Sequence, residues 1–320
     1  MENGLYKLVS NELTQWVLHK DSKTFKLPIT LDEILSMPIS KSRKIIDGDL
    51  PLIEVNLSDF VAPIDTQEVW ACGVTYMRSR QGRAEESGSA NLYNLVYEAE
   101  RPEIFFKASH TRVVTTGQNI GIRKDSGWDV PEAEVCLVIN SSMEIFGFMA
   151  GNDMSSRSIE GENPLYLPQA KCYDKSCSLG SVIVPQWMVS SEVFEVTVDI
   201  RRNKASVFKG ATSTANMRRS FRELVDWLGR SMSYPVGAIV MTGTGVVPER
   251  DFTLQAGDLV EISISDLGTL SNEVEVVGHL HGVEVDGLDE LEGGWAPARP
   301  HGQPAMRVAG GDENAESGIT

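Results

Sequence analysis

The chain has 320 residues, 41% hydrophobic and 23% charged, an ordinary balance for a globular protein of one or two domains. Its formal net charge of -16 argues against nucleic acid or an anionic membrane as a partner, because both are negatively charged. The chain has no apolar run of membrane-spanning length, no opening signal peptide and no C-x-x-C pair among its four cysteines. We therefore expect a cytoplasmic protein with reduced thiols.

The first 63 residues are predicted to form a small N-terminal α/β unit that begins with a short strand. A helix is expected near Leu31 to Leu35. Thr30 can cap its N-terminus, and Glu33 three residues later completes a capping box. A stretch rich in Pro and Asp then leads out of the unit.

After residue 63 the pattern becomes that of a β-rich domain. Val69 to Val74 is a compact apolar strand, and Tyr76 to Glu100 is polar and predicted to be helical with a break at Gly88-Ser89. Strands dominate from Ile104 to Val277, apart from one amphipathic helix predicted over Met217 to Met232. The predicted organisation is an N-terminal unit, a catalytic domain and a partly disordered C-terminal extension: residues 1–63, 64–281 and 282–320.

The first chemical signal is a pair of carboxylates, Glu132 and Glu134, at the start of a predicted strand. Residues i and i+2 of a strand share a face, so the two groups repel each other unless a cation or a proton lies between them. Asp153 follows in a predicted turn, Gly151-Asn152-Asp153. Three oxygen ligands suit a hard cation, Mg²⁺ first, then Mn²⁺ or Ca²⁺. Taken alone, the pair is more typical of the solvated face of an edge strand, and it is the surrounding residues that favour a metal site.

Further polar residues follow the carboxylates. Glu160 is either a loop carboxylate or a group lining the site, and Lys171 is either a surface lysine or a functional one. The segment Thr242 to Gly245 is a glycine-spaced turn whose N–H groups could cradle an anion. Glu261 points away from the apolar residues of its strand, toward solvent or toward the cleft.

The order of these motifs resembles the fumarylacetoacetate hydrolase family. The motifs are ExE, G-N-D-x-S-x-R, a lysine eighteen residues after the aspartate, T-G-T-G and G-D-x-V-E, within Val69 to Val277. Within that family, Gly151 to Lys171 most resembles the 2-keto-3-deoxy-sugar-acid dehydratases, such as 2-keto-3-deoxyarabinonate dehydratase. The resemblance implies an α+β, β-rich fold, a mixed β-sandwich roll with a small N-terminal unit, and a divalent cation in a cleft.

The resemblance also implies roles for individual residues. The implied metal ligands are Glu132, Glu134 and Asp153, with Lys171 beside the metal. Lys171 and Glu160 are the candidate catalytic residues. The resemblance implies that Thr244 holds a substrate carboxylate. The further candidate substrate-binding residues, which the sequence itself suggests, are Tyr76, Arg78, Arg80 and Gly243.

One departure from the family pattern bears on the reaction. Hydrolases of the family usually carry a histidine on the loop after the strand that here ends near Val74. Residues Tyr76 to Arg83 contain no histidine, which weakens the hydrolase interpretation because water activation needs a general base. The arginines Arg78, Arg80 and Arg83 instead suit a small, anionic, hydroxylated substrate.

The resemblance therefore implies an Mg-dependent dehydratase that converts a 2-keto-3-deoxy pentonate to 2-oxoglutarate semialdehyde through a metal-stabilised enolate. Two alternatives stay open. One is a metal-dependent acylpyruvate-type C–C hydrolase or oxaloacetate-type decarboxylase, and the other is a non-catalytic sugar-acid-binding protein. The expected partners are a small anionic 2-keto acid and further copies of the chain, as a homodimer or a dimer of dimers.

Overall fold

The computed structural model describes residues 1–10, 13–56, 60–77 and 90–278. Strands account for most of the regular structure, which confirms the predicted β-rich α+β class. The strands are β1 (Gly4–Ser10), β2 (Leu13–Lys20), β3 (Lys23–Lys26), β4 (Phe60–Val61), β5 (Glu68–Gly73), β6 (Glu103–Ala108), β7 (Val113–Thr115), β8 (Ile120–Arg123), β9 (Asp129–Val130), β10 (Ala133–Ile139), β11 (Ile145–Asp153), β12 (Ser155–Ser156), β13 (Cys177–Leu179), β14 (Val184–Pro185), β15 (Glu195–Arg202), β16 (Ala205–Ser213), β17 (Ala238–Met241), β18 (Leu259–Ile264) and β19 (Gly268–Val277). The α-helices are α1 (Leu31–Leu35), α2 (Ile39–Ile46), α3 (Ala90–Glu98), α4 (Arg157–Glu162), α5 (Leu167–Lys171) and α6 (Phe221–Leu228).

Within the described residues these strands form four sheets. The largest has the order β6-β5-β17-β10-β11-β13-β7, with β14 also paired to β11. A second sheet has the order β16-β15-β18-β19-β8, and the N-terminal residues form the sheet β3-β2-β1-β4. The short strands β9 and β12 pair beside the end of β11. Most pairs are antiparallel, while β5 with β17, β7 with β13, and β8 with β19 are parallel.

Strand β10 lies at the centre of the largest sheet and is buried along its whole length. Its side chains alternate between two hydrophobic cores, as a strand covered on both faces must. Leu137 and Ile139 pack in one core, whereas Cys136 and Val138 pack in the other. Glu132 and Glu134 continue the face of Cys136 and Val138 beyond the apolar end of the strand.

The predicted N-terminal helix is confirmed as α1. The Thr30 hydroxyl accepts a hydrogen bond from the Glu33 amide, and the Glu33 side chain accepts one from the Thr30 amide, so the capping box is complete. Residues 1–279 form one compact unit, and the predicted boundaries at residues 63 and 281 stay predictions. No helix in the described part of the chain combines the length and apolar character needed to cross a membrane.

The helix predicted over Met217 to Met232 is shorter than expected, because α6 spans only Phe221–Leu228. Met217 pairs instead with Tyr76 as an isolated β-bridge, which holds the preceding segment in an extended conformation. The hydroxyl of Ser220 then accepts a hydrogen bond from the Glu223 amide and starts the helix. Helix α3 supports the helical prediction for the end of the segment 76–100, while residues 78–89 lie outside the described residues.

Candidate active site

The three predicted metal ligands lie together in the structure. Carboxylate oxygens of Glu132, Glu134 and Asp153 are all within 4.8 Å of one another. The three side chains are buried, with 4%, 1% and 1% of their residue surface exposed. The pair is therefore not on a solvated edge strand.

Strand pairing explains how Asp153 reaches the other two carboxylates. The prediction of a turn at Gly151-Asn152-Asp153 is wrong, because β11 continues through all three residues. It continues because it has a partner on each side: Asn152 is opposite Ala133 in β10, and Asp153 is opposite Cys177 in β13. The Asp153 amide donates to the Glu132 carbonyl at 3.0 Å, so the two residues lie side by side across the ladder.

Lys171 lies inside the carboxylate cluster and is fully buried. Its Nζ donates to Glu132 Oε2 and Asp153 Oδ2, each at 2.9 Å, and to Ser155 Oγ at 2.5 Å. A lysine buried in this way needs opposite charges around it, since an unpaired buried ammonium is strongly unfavourable. The structure thus brings together four of the residues that the sequence singled out, and excludes a surface position for Lys171.

The cluster includes two further cations, Lys107 and Arg157, to which the sequence alone assigns no role. Lys107 is buried in β6; its Nζ lies 2.5 Å from Asp153 Oδ1 and donates to the Lys171 and Met154 carbonyls at 2.5 and 2.9 Å. Arg157, at the start of α4, donates to Glu132 Oε1 at 2.7 Å. Lys107 stands between Phe106 and Ala108 in an otherwise apolar strand. That position is a sequence signal for a buried lysine, because a charged residue in such a strand needs a partner.

We expect Lys107→Met to lower the free energy of unfolding by about 3 kcal/mol, because it leaves a buried carboxylate oxygen and two carbonyls without their donor. Lys175→Met is the matched control. Lys175 also pairs with a carboxylate, that of Glu275, but its side chain is 42% exposed, and such pairs contribute at most about 1 kcal/mol. Urea melts of both variants measure the difference. Equal losses of stability would contradict this role of Lys107.

Glu134 is the carboxylate whose charge is least compensated. The Gly243 amide donates to its Oε2 at 2.6 Å, but burial and the charges of Asp153 and Glu132 outweigh Lys171 and this hydrogen bond, and they raise its pKa well above the usual range. A divalent cation bound by the three carboxylates would add positive charge beside Glu134 and so favour its charged form. The donor set also fits Mg²⁺, because three carboxylate oxygens that lie within 4.8 Å of one another are the ligands that a hard cation prefers.

The T-G-T-G segment, Thr242 to Gly245, contacts the cluster at Glu134. Gly243 has a φ of +91°, and a Cβ at this position would lie 2.0 Å from Thr75 Oγ1, so glycine is required on both counts. Since its N–H is directed at Glu134, the predicted contact of Gly243 with a substrate carboxylate stays a prediction. Thr244 is buried and lines a narrow cavity together with Glu132 and Arg157.

Of the other candidate residues, Tyr76 and Glu160 are buried near the cluster, Arg78 and Arg80 are not described, and Glu261 lies on another sheet. Tyr76 is buried against Gly245, and burial followed by the charge of Glu134 raises the pKa of its phenol. Glu160 is buried in the first turn of α4, and its Oε2 lies 3.5 Å from Arg157 Nη1. Because Arg157 also contacts Glu132, it links Glu160 to the metal ligands. Arg78 and Arg80 lie outside the described residues. Glu261 pairs with Arg201 at 2.9 Å on the face of another sheet.

Fold and site together define a class of protein. A β-rich protein with three carboxylates and a lysine buried at the end of a central sheet is built to hold a hard cation beside a small polar ligand.

Comparison with known proteins identifies the family. The family model described as fumarylacetoacetate (FAA) hydrolase C-terminal matches residues 69–275. A Haloferax volcanii protein named "Probable 2-keto-3-deoxyxylonate dehydratase" is 50% identical over 216 residues, covering 67% of this chain and 74% of that protein. The 2-dehydro-3-deoxy-D-arabinonate dehydratase of Saccharolobus solfataricus is 40% identical over 231 residues, covering 71% and 78%. The chain belongs to the fumarylacetoacetate hydrolase family.

A solved structure of 2-keto-3-deoxy-D-arabinonate dehydratase, complexed with magnesium and 2,5-dioxopentanoate, matches with a TM-score of 0.77 and 31% identity. The match covers 86% of this chain and 99% of that one. The predicted likeness to the 2-keto-3-deoxy-sugar-acid dehydratases of the family is confirmed, and so is the predicted fold.

Proposed function

We propose that this protein is an Mg²⁺-dependent dehydratase of a 2-keto-3-deoxy pentonate. The observation that carries the proposal is the buried cluster of Glu132, Glu134, Asp153 and Lys171. In the reaction C3 loses a proton and the C4 hydroxyl leaves as water, which gives a 2-keto acid with a C3=C4 double bond. A proton then moves from C5 to C3, and the C4=C5 enol so formed tautomerises to 2,5-dioxopentanoate, which is 2-oxoglutarate semialdehyde. Atoms balance, since the product is the substrate minus one water molecule.

Glu132, Glu134 and Asp153 would hold the cation. When bound, Mg²⁺ supplies Lewis-acid stabilisation of the negative charge that develops on the keto oxygen as the C3 proton is lost. Lys171 fixes the orientation of two of the ligands through its contacts with Glu132 and Asp153. As an ammonium with three acceptors, it also places a positive charge beside the developing negative charge.

Glu160 is the better candidate for accepting the C3 proton. An ammonium held by three acceptors is a proton donor, so Lys171 is less suited to the role of base than a carboxylate. Glu160 lines a cavity next to the cluster, and Arg157 links it to Glu132. Thr244 lines the narrow cavity that Glu132 and Arg157 also line, and we assign to it the orientation of the substrate carboxylate.

Two considerations support dehydration over the hydrolase and decarboxylase alternatives. The relatives with 50% and 40% identity are named as dehydratases of 2-keto-3-deoxy pentonates. The sequence 76–83 also lacks the histidine with which hydrolases of the family activate water. A purely binding function gives no reason to bury a lysine among three carboxylates.

We expect the purified protein with Mg²⁺ to release water from 2-keto-3-deoxy pentonates faster than from the corresponding hexonates, and to leave acylpyruvates and oxaloacetate nearly unchanged. Mass spectrometry of the products against a panel of these acids measures this. Faster cleavage of an acylpyruvate or faster decarboxylation of oxaloacetate would refute the proposed reaction, and no turnover of any acid would favour a binding protein.

We further propose that the protein works in the cytoplasm as a homodimer or a dimer of dimers. The net charge of -16 and the four free thiols are consistent with a cytoplasmic location. Size-exclusion chromatography with light scattering tests the oligomeric state.

A further inference from the structure

Two arginines, Arg218 and Arg219, precede helix α6, and both are directed at the end of helix α3. Arg219 is buried, with 4% of its surface exposed. Its guanidinium donates to the Ala99 carbonyl at 2.6 Å and to the Glu100 carbonyl at 3.0 Å. Together the two guanidinium groups bind a run of consecutive main-chain carbonyls, those of Val96, Tyr97, Glu98, Ala99 and Glu100.

These contacts satisfy groups that a helix leaves unpaired. The last carbonyls of an α-helix have no intrahelical donor, and together they carry a partial negative charge that favours a nearby cation. A guanidinium suits them because its N–H donors, fixed in one plane, serve several acceptors at once. Nη1 of Arg219 also donates to Glu223 Oε1 at 2.6 Å, in the first turn of α6. Arg219 thus joins the end of α3 to the start of α6.

The backbone of the same segment holds the residues that follow β5. Met217 forms its β-bridge with Tyr76, and the Arg218 amide donates to the Thr75 carbonyl at 3.0 Å. Thr75 Oγ1 in turn donates to the Thr242 carbonyl at 2.7 Å, in the T-G-T-G segment beside the carboxylate cluster. The segment before α6 is therefore a single support for both the end of α3 and the residues after β5.

The stretch that Arg219 holds, residues 96–102, forms one wall of a cavity next to the carboxylate cluster, and we call it the outer wall. The cavity has a volume of about 280 Å³ and is lined by Glu160 and by three residues of the outer wall, Val96, Arg101 and Pro102. The Arg101 guanidinium lies 4.7 Å from the centre of the Trp227 ring, a second contact between the outer wall and α6. The metal ligands depend on different contacts, namely the pairing of β10 with β11 and the buried lysine of the cluster.

We propose that Arg219 is a positioning residue for the dehydration, which holds the outer wall in the place where it contacts the bound 2-keto acid. This inference deepens the proposed function and rests on it for the identity of the substrate. Arg219 acts through the main chain of residues 96–100. Because the outer wall and the metal ligands are held by different contacts, loss of the guanidinium should weaken binding of the 2-keto acid and leave binding of Mg²⁺ unchanged.

Arg219→Met tests this in the Mg²⁺-loaded protein. We expect KM for the 2-keto-3-deoxy pentonate to rise about tenfold with kcat nearly unchanged, because the hydrogen bonds that are lost shape the binding site and do not act on the reacting atoms. Calorimetry should show a similar loss of affinity for the product, 2,5-dioxopentanoate, together with a wild-type Kd for Mg²⁺. A variant that was merely less well folded would not separate the two binding constants.

Arg222→Met is the matched control. Arg222 lies in α6 and makes the same kinds of contact, since it donates to the Met143 carbonyl at 2.7 Å and pairs with the carboxylate of Asp226 one turn later. Its side chain is 55% exposed, however, and its contacts are with the turn that contains Met143. Its variant should keep the wild-type KM and both wild-type binding constants.

A conservative variant decides the matter if Arg219→Met does not fold. Arg219→Lys retains the charge on a single ammonium, which cannot serve all the acceptors of the guanidinium, so KM should rise by a smaller factor. A folded Arg219→Met or Arg219→Lys with wild-type KM would overturn the inference, and so would a Kd for Mg²⁺ that weakens in step with KM. Absence of dehydration by the wild type would refute the proposed function instead, since the comparison of 2,5-dioxopentanoate binding does not depend on turnover.

Discussion

Replacing Lys171 by methionine should lower kcat about 10³-fold, which corresponds to roughly 4 kcal/mol of transition-state stabilisation. The reason is the position of its Nζ, within 2.9 Å of oxygens of both Glu132 and Asp153 in a site closed to solvent. Methionine fills a similar volume but removes the positive charge that opposes the developing negative charge. Since that charge develops during the reaction, KM should change little.

Thr244→Val provides the contrasting result. Thr244 contacts the ligand carboxylate in the proposed complex before and during the reaction, so its loss should mainly raise KM.

Lys209→Met is the matched control for Lys171→Met, because Lys209 also pairs with a carboxylate but its side chain is 68% exposed. Steady-state kinetics with circular dichroism of each variant separates lost chemistry from lost folding. A folded Lys171→Met enzyme with wild-type kcat would exclude Lys171 from catalysis.

Local sequence signals predicted those parts of the structure that depend on a few neighbouring residues. The Thr30 and Glu33 capping box is one example, because both partners lie within one helical turn. The shared face of Glu132 and Glu134 is another, because it follows from the alternation of a strand. The predicted end of helix α6 at Met232 is wrong, because α6 ends at Leu228 and Gly229, a poor helix former, follows as its C-cap.

Features that depend on strand pairing could not be read from the chain. The contact of Lys107 with Asp153 joins residues far apart in sequence, and requires β6 and β11 to lie in the same sheet. The position of the Glu103 side chain beside Gly73 likewise depends on the register that places these two residues opposite each other in β6 and β5. Asp153 was expected in a turn because Gly and Asn favour turns, yet the ladder with β13 overrides that preference.

The carboxylate cluster predicts that Glu134→Gln affects the stability of the metal-free and the metal-bound protein in opposite directions. In the presence of a chelator, the variant should melt at a higher temperature than wild type. Burial and two neighbouring carboxylates disfavour the charge of Glu134, and the neutral amide removes that charge while its oxygen still accepts the Gly243 hydrogen bond.

With Mg²⁺ the order should reverse. A ligand that binds only the folded state stabilises it by about 2.7 kcal/mol at a concentration one hundred times its Kd. Wild type should gain that stability and a higher Tm, whereas Glu134→Gln, which lacks one of three anionic ligands, should gain almost none. Glu261→Gln is the control, because Glu261 pairs with Arg201 on another sheet and its variant should keep the full response to Mg²⁺. The measurement is thermal melting of the three proteins in chelator and in a Mg²⁺ series. If wild type shows no Mg²⁺-dependent rise in Tm, or if Glu134→Gln shows the same rise as wild type, Glu134 is not a ligand of the metal.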